Sequence, residues 1–272
     1  MKNTTEKTSH GLSGAALKWI AIITMTIDHF AVAVWFNIYC HDFIIHPEYK
    51  TAFRIMRFIG RIAFPIFIFL MIEGYKHTHS RLKYLLRMLL FAFISEVPYD
   101  LAFYKKPLYM DKQNVFFTLF IGLATIAVMD LIDIVLREIF YGENHIKRST
   151  PGLSGLPPLP MKWQLLCYLL DAGLTAVGMG TAWYLKTDYS WVGVLAICIA
   201  WRFCDIRMLS MGLSCASLLF SSLSELYGAA ALLPIGLYNG KRGRQIKYLF
   251  YLYYPAHLLI FWLIIKIIIE KN

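Results

Sequence analysis

Asp28 and His29 stand side by side inside an apolar stretch, residues 16–36, that reads ALKWIAIITMTIDHFAVAVWF. An ionisable side chain at bilayer depth costs about 2.5–3.5 kcal/mol on insertion scales, so such groups face a partner or a watery cavity. Imidazole is the side chain whose ordinary titration range suits proton transfer near neutral pH. A carboxylate next to it can balance a cation or orient the ring. The pair therefore points to acid–base chemistry or to a proton relay. The plain alternative is a packing histidine with Asp28 held by an arginine.

Further polar groups recur in the apolar runs behind it. Arg54, Arg57 and Arg61 are spaced three and four apart, on one helical face. Arg54 and Arg57 read as side chains snorkelling to headgroups. Arg61 lies deeper, and Asp28 is its candidate counter-charge. Pro65 follows in mid-span, where a missing N–H kinks a helix and frees carbonyls. Glu73, His77 and Arg81 are four apart and share a face if the helix continues, which makes a candidate grip for a polar head group. SEVPYD sets Glu96 and Asp100 one turn apart. Asn114 and Thr118 begin the next run, where interhelical hydrogen bonding is the ordinary role. Asp171 is a buried acid with no obvious partner in the sequence. Near the C-terminus, Tyr238-Asn239-Gly240 leads into Lys241, Arg242 and Arg244. Glycine-freed backbone beside cations is a candidate phosphate cradle, and the same pattern serves as a topology anchor. Tyr254 and His257 lie in the last apolar run at a depth like that of His29, so one shared interior site is expected. Spacing supports no zinc site.

These residues must be positioned by membrane helices. Hydrophobic residues make up 58% of the 272 residues and charged ones 16%. Runs of about twenty apolar residues recur, the length that crosses roughly 30 Å of hydrocarbon. The expected fold is all-α, a polytopic integral membrane helical bundle in one domain over 1–272. About nine transmembrane helices are expected, at 16–37, 53–73, 83–103, 115–137, 164–185, 190–205, 207–221, 224–238 and 248–269, with one short segment open to a re-entrant reading. Nine spans with a cytosolic N-terminus put 17 of the 27 Lys and Arg residues inside, including the NGKRGRQIK loop. That topology explains the net charge of +10 without a nucleic-acid partner. Residues 141–161, rich in Gly and Pro, read as a cytosolic linker. The five cysteines show neither CxxC nor zinc spacing and read as packing residues.

Five blocks in series carry a resemblance: TIDHF, GRIAFPIFIFLMIEGYKHTHSR, SEVPYD, QNVFFTLFIGL, and YNGKRG with YYPAHLLI. Together they resemble the TraX family of membrane proteins, associated with N-terminal acetylation of conjugative pilin. Segments 141–161 and 186–224 carry little of it. The chain is also similar, more distantly, to multi-span acyltransferases with a histidine in an early span and another in the last. The resemblance implies an acetyltransferase of the cytoplasmic membrane, using cytosolic acetyl-CoA on an amine or hydroxyl of a pilin, glycan or small acceptor. It implies catalytic roles for His29 and His257, with Asp28 and Arg61 beside them. The donor's phosphates would meet Arg81, Lys241 and Arg242 near Tyr238 and Asn239. The acceptor would meet Glu73, His77, Glu96, Asn114, Thr118 and Tyr254. No metal is expected. A proton-coupled transporter is the alternative, since the same buried acids and bases could relay protons.

Overall fold

A computed structural model describes residues 11–142, 159–244 and 249–271. Linker residues 143–158, the N-terminal Lys2 and Lys7, and Lys247 lie outside the described residues. The described chain is helical, with two isolated bridges, Leu12 to Tyr238 and Gln113 to Thr187, and no strand among the described residues.

The elements are α1 (Gly14–Phe30), α2 (Phe36–Tyr39), α3 (Pro47–Gly60), α4 (Ala63–Lys76), α5 (Arg81–Tyr104) and α6 (Val115–Tyr141), then α7 (Met161–Tyr184), α8 (Ser190–Arg202), α9 (Arg207–Leu218), α10 (Leu232–Gly236) and α11 (Leu249–Lys271). A π-helical turn, Ala31–Trp35, joins α1 to α2, and a 3-10 run, Leu223–Ala231, leads into α10. Local chemistry sets the starts. Ser13, Ser80 and Asn114 cap α1, α5 and α6 by accepting from Ala16, Lys83 and Phe116 backbone N–H groups. Pro47 opens α3, where its missing donor is not needed.

Among the described residues, five segments are long and apolar enough to cross a membrane: Gly14–Asp42, Pro47–Lys76, Val115–Tyr141, Met161–Tyr184 and Phe250–Ile268. The count of about nine is not reached by this measure. The expected spans at 190–205, 207–221 and 224–238 are helices of 13 and 12 residues and a 3-10 run ending in five-residue α10. The span expected at 83–103 is α5, 24 residues long, which carries several charges. Large apolar side chains such as Phe93, Val177 and Trp183 point outward, as lipid-facing residues do.

Two apolar cores hold the bundle. The larger gathers Ile66, Ile68, Leu123, Ile126, Val194 and Ile197 of α4, α6 and α8. The smaller joins Met25, Val34, Tyr99, Tyr254, Leu258 and Phe261 of the first helix, α5 and α11. Pro65 does not kink a continuous span. The helix breaks four residues earlier, at Arg61–Ile62, because the proline ring excludes the carbonyl there, and Pro65 sits in the first turn of α4. Pro98 and Pro255 lie inside unbroken helices.

The basic turn at 237–243 clasps the start of α1. Leu12, Gly14 and Ala15 N–H groups donate to the carbonyls of Leu237, Lys241 and Arg242 at 2.8, 2.9 and 3.0 Å. Two of these are first-turn amides that a helix leaves unpaired. Gly243 has φ +71°, and a Cβ there would lie 2.6 Å from Ser13 Oγ. Gly243→Ala should lower the thermal midpoint of the detergent-solubilised protein, a cost of about 1–2 kcal/mol. Gly173→Ala, where a Cβ meets open space in α7, should not lower it.

Candidate active site

The lower part of α1 brings Asp28 and His29 to a cavity of about 700 Å³. Arg57, Arg61, Asp188 and Glu225 share its wall, and Phe64, Tyr99, Phe103 and Tyr189 give it aromatic surface. Lys112, Thr187, Ser190 and Ser222 also line it, so it reaches the loops at the end of the bundle away from Ser13.

His29 is tied to the last helix. Its Nδ1 lies 2.8 Å from His257 Nε2, and the two rings are parallel within 4°. His257 Nδ1 lies 2.8 Å from the carbonyl oxygen of Tyr253. A carbonyl only accepts, so His257 carries its proton on Nδ1 and, when neutral, offers a lone pair at Nε2. His29 must then donate from Nδ1. Its own Nε2 keeps a lone pair with no protein partner among the described residues. The chain Tyr253 carbonyl, His257, His29 fixes one tautomer and leaves one basic nitrogen on a ring that lines the cavity. Phe103 and Tyr254 stand edge-on to that ring, with centroids at 5.4 and 5.7 Å.

The charge pairing differs from expectation. Asp28 bonds Arg57, not Arg61, at 2.6 Å. Arg57 therefore does not snorkel; it turns inward because Gly60, one turn on, lets α3 approach Asp28 with no side chain between them. A Cβ at Gly60 would overlap Asp28 Cβ and Cγ. Arg61 instead meets Glu225 at 2.7 Å. Asp28 does not orient His29; His257 holds that place.

Other expected residues lie elsewhere. Asn114 caps α6 and donates to the Ala92 carbonyl at 2.8 Å and to Glu96 at 2.5 Å, so both are committed to joining α5 and α6. Asp100 accepts from Tyr109 N–H at 2.7 Å. Thr118 donates to the Asp188 carbonyl and accepts from the Thr187 hydroxyl, and so holds the loop at the cavity's edge. Asp171 finds Arg202 at 3.6 Å. Glu73 and His77 are 3.8 Å apart at the N-terminal end of the bundle, away from His29. Arg81 does not continue their face. A new helix begins there, and its guanidinium bonds Asp130 at 2.8 Å. Lys241, Arg242, Tyr238 and Asn239 lie in the clasp at the start of α1, and none lines the cavity.

Arg57's inward role, Glu225, Asp188, Lys112 and Tyr189 escaped the sequence reading. A signal existed for Glu225: it is the one acid in the apolar segment 224–238. The π-helical turn that begins two residues past His29 was also missed. Its cue is Asn37, whose amide donates to the carbonyls of Val32 and Ala33 at 3.4 and 2.9 Å. Such turns are frequent at functional sites. Among the described residues no cluster of three or more His, Cys, Asp or Glu is arranged to hold a metal ion.

The TraX family, described as TraX protein, matches residues 13–140 and 166–265. A curated relative from Dichelobacter nodosus, a "Probable fimbrial assembly protein FimC, serogroup H1", is 31% identical over 129 residues. That alignment covers 43% of this chain and 46% of the relative, so the chain spans about half of that relative's length. No solved structure matches.

Asp28→Asn leaves the Arg57 cation uncompensated and should cost about 1–3 kcal/mol. Adding Arg57→Gln should recover part of that loss, read as a coupling in a double-mutant cycle of thermal unfolding. Burial pushes the Asp188 carboxyl above its ordinary 3.8, against the pull of Lys112. The folded state thus holds this proton more tightly than the unfolded chain. Its contribution is fully present below the unfolded value and is lost as pH rises through the folded one. Asp188→Asn should flatten the fall in stability across that acid-side window.

Proposed function

The chain belongs to the TraX family, and from that premise we propose that it is an integral membrane acetyltransferase acting through His29. Acetyl-CoA is the donor substrate, and an amine or hydroxyl group of a pilin, glycan or small molecule is the acceptor. The observation that carries the reading is the Tyr253–His257–His29 chain, which leaves a single basic nitrogen on a ring lining a cavity.

The chemistry follows from that tautomer. His29 Nε2 takes the proton of the acceptor N–H or O–H as that atom attacks the thioester carbonyl. His257 accepts a hydrogen bond from His29 Nδ1 throughout and spreads the positive charge that forms on the pair. The C–S bond then breaks, and His29 returns the proton to the leaving sulfur. Attack by Nε2 itself uses the same lone pair: the C–S bond breaks, the thiolate leaves, and the acceptor then takes the acetyl group from the short-lived acetyl-imidazole, freeing the ring. Two buried donors suit the oxyanion, Arg61 on the cavity wall and Tyr254 edge-on to the His29 ring. Arg61 Nε is buried with no hydrogen-bond partner, and so is the Tyr254 hydroxyl. Asn114 is not proposed for this task, because its amide is already bound.

The membrane frame of this proposal has nine passes in the cytoplasmic membrane, with α5, α8, α9 and the 3-10 run with α10 completing the five long segments, and a cytosolic N-terminus. Lys76, Arg81, Arg202, Arg207, Lys241 and Arg242 then lie at the cytosolic end, as the positive-inside rule favours. Exposed Lys241 and Arg244 are placed to draw the donor's phosphates to that face. The cavity reaches the other face, the side from which the acceptor would approach. The fimbrial assembly role in the relative's name accords with an acceptor among pilus components.

The deciding assay is transfer of radiolabelled acetyl from acetyl-CoA to total membrane acceptors by proteoliposomes. His29→Ala, still folded, should lose at least about 10²-fold in kcat. His257→Gln should lower kcat with KM little changed, as expected for a group that acts through His29. Full transfer by His29→Ala would remove the ring from the chemistry. A response to a proton gradient with no thioester consumed would replace the reading with proton-coupled transport.

A further inference from the structure

A second cavity, of about 380 Å³, lies at the N-terminal end of the bundle between α4 and α9. It is not a back entrance to the His29 cavity. On α4 the two use opposite faces. Ala63, Phe64 and Phe67 line the first; Phe69, Ile72, Glu73 and Lys76 line the second. At about 100° per residue these groups point roughly half a turn apart. The second cavity therefore needs its own explanation, and its size falls in the range of small-molecule sites.

Its chemistry is dipolar. Lys76 Nζ donates to the Cys204 carbonyl at 3.0 Å, and Arg207 Nη1 donates to the Tyr238 carbonyl at 2.8 Å. Each contact uses one N–H and pins the cation in the wall, and an ammonium or guanidinium has several more to offer. Arg207 also stands over the rings of Tyr238 and Phe69, at 5.1 and 5.8 Å. It is the first residue of α9, a helix with no side-chain cap, so unpaired first-turn amides add to the positive end of the cleft. Two carboxylates, Glu73 and Asp205, share the same lining. Glu73 also lies 3.8 Å from the exposed His77 ring. The floor is apolar, from Ile72 and Met211. Just outside, Met208, Leu209 and Leu237 are large exposed apolar side chains.

Two fixed cations, two carboxylates and a helix start in one small cleft do not suit a plain anion, because the carboxylates would repel it. They suit a ligand that carries both signs. We infer that this cleft binds the phosphoethanolamine group of a membrane phospholipid. The phosphate lies on Lys76, Arg207 and the start of α9, the ammonium on Glu73 and Asp205, and the acyl chains run over Met208, Leu209 and Leu237. A strictly anionic headgroup would leave the carboxylates unmatched. A choline headgroup has no N–H to give them. The site is separate from the transfer chemistry, and its test does not depend on acetyl transfer.

The full chain is reconstituted in nanodiscs holding equal parts of phosphatidylethanolamine, phosphatidylglycerol and phosphatidylcholine, and retained lipid is read by native mass spectrometry. Phosphatidylethanolamine should be retained several-fold above its share. Lys76→Gln with Arg207→Gln should abolish retention. Glu73→Gln with Asp205→Asn should shift the preference to phosphatidylglycerol. Lys76→Arg and Arg207→Lys, which keep both charges, should keep it, and so separate lost binding from lost folding. Stabilisation of the lipid-stripped protein by soluble phosphoethanolamine, without stabilisation by the lipid, would keep the ligand's chemistry and place its source in solution. Retention in bulk proportion, or unchanged retention in the Lys76/Arg207 double variant, overturns the site.

Discussion

The Asp28–Arg57 ion pair sets the shape of the site. Both charges sit in a bundle whose outer surface is apolar, where a charge left without its partner is costly. Their union draws α3 against α1, and Gly60 is the residue that admits the approach. With α3 fixed in this way, the chain must still turn into α4, and Pro65 places the break at Arg61. That break delivers Arg61 to Glu225 on the 3-10 run. Two ion pairs thus link three elements around one cavity. Each pair leaves one carboxylate oxygen, Asp28 Oδ1 and Glu225 Oε2, buried without a partner. Such atoms are rare in folded proteins, and here they belong to cavity-lining residues.

The histidine pair depends on a different contact. α11 packs its Tyr254, Leu258 and Phe261 into the smaller core with Met25 and Val34 of the first helical segment. This apolar seam brings His257 to His29. The carbonyl of Tyr253, one turn earlier on α11, then decides where the protons sit. In many hydrolases a carboxylate orients the catalytic imidazole. Here a second imidazole and a backbone carbonyl orient the ring of His29. A neutral orienting chain suits a site in which Asp28 is already spent on Arg57.

The two ends of the bundle divide the polar work. At the N-terminal end the glycine-rich turn satisfies the first amides of α1, and the dipolar cleft lies between α4 and α9. At the far end Asn114, Glu96 and Thr118 lock the start of α6 to α5 and to the loop bearing Asp188. Of the residues expected as substrate contacts, Glu96, Asn114 and Thr118 also fasten the cavity's edge.

Hydropathy alone fixed the helical membrane class, since runs of about twenty apolar residues have few other uses. It also singled out His29 and His257, because imidazoles at matching depth in the first and last apolar runs are conspicuous in one dimension. Partners were not legible. Asp28 could have met any of three arginines, and only the packing allowed by Gly60 chose Arg57. Glu225 stands 164 residues from Arg61, and spacing carries no information over that distance. The turn at Lys241 and Arg242 had the composition of a phosphate cradle; that its carbonyls also receive the first amides of α1 was not legible. Periodicity and composition report what a residue must avoid, which is lipid for a charge and water for a leucine. Which buried group it meets is set by how helices pack, and that was decided only in three dimensions.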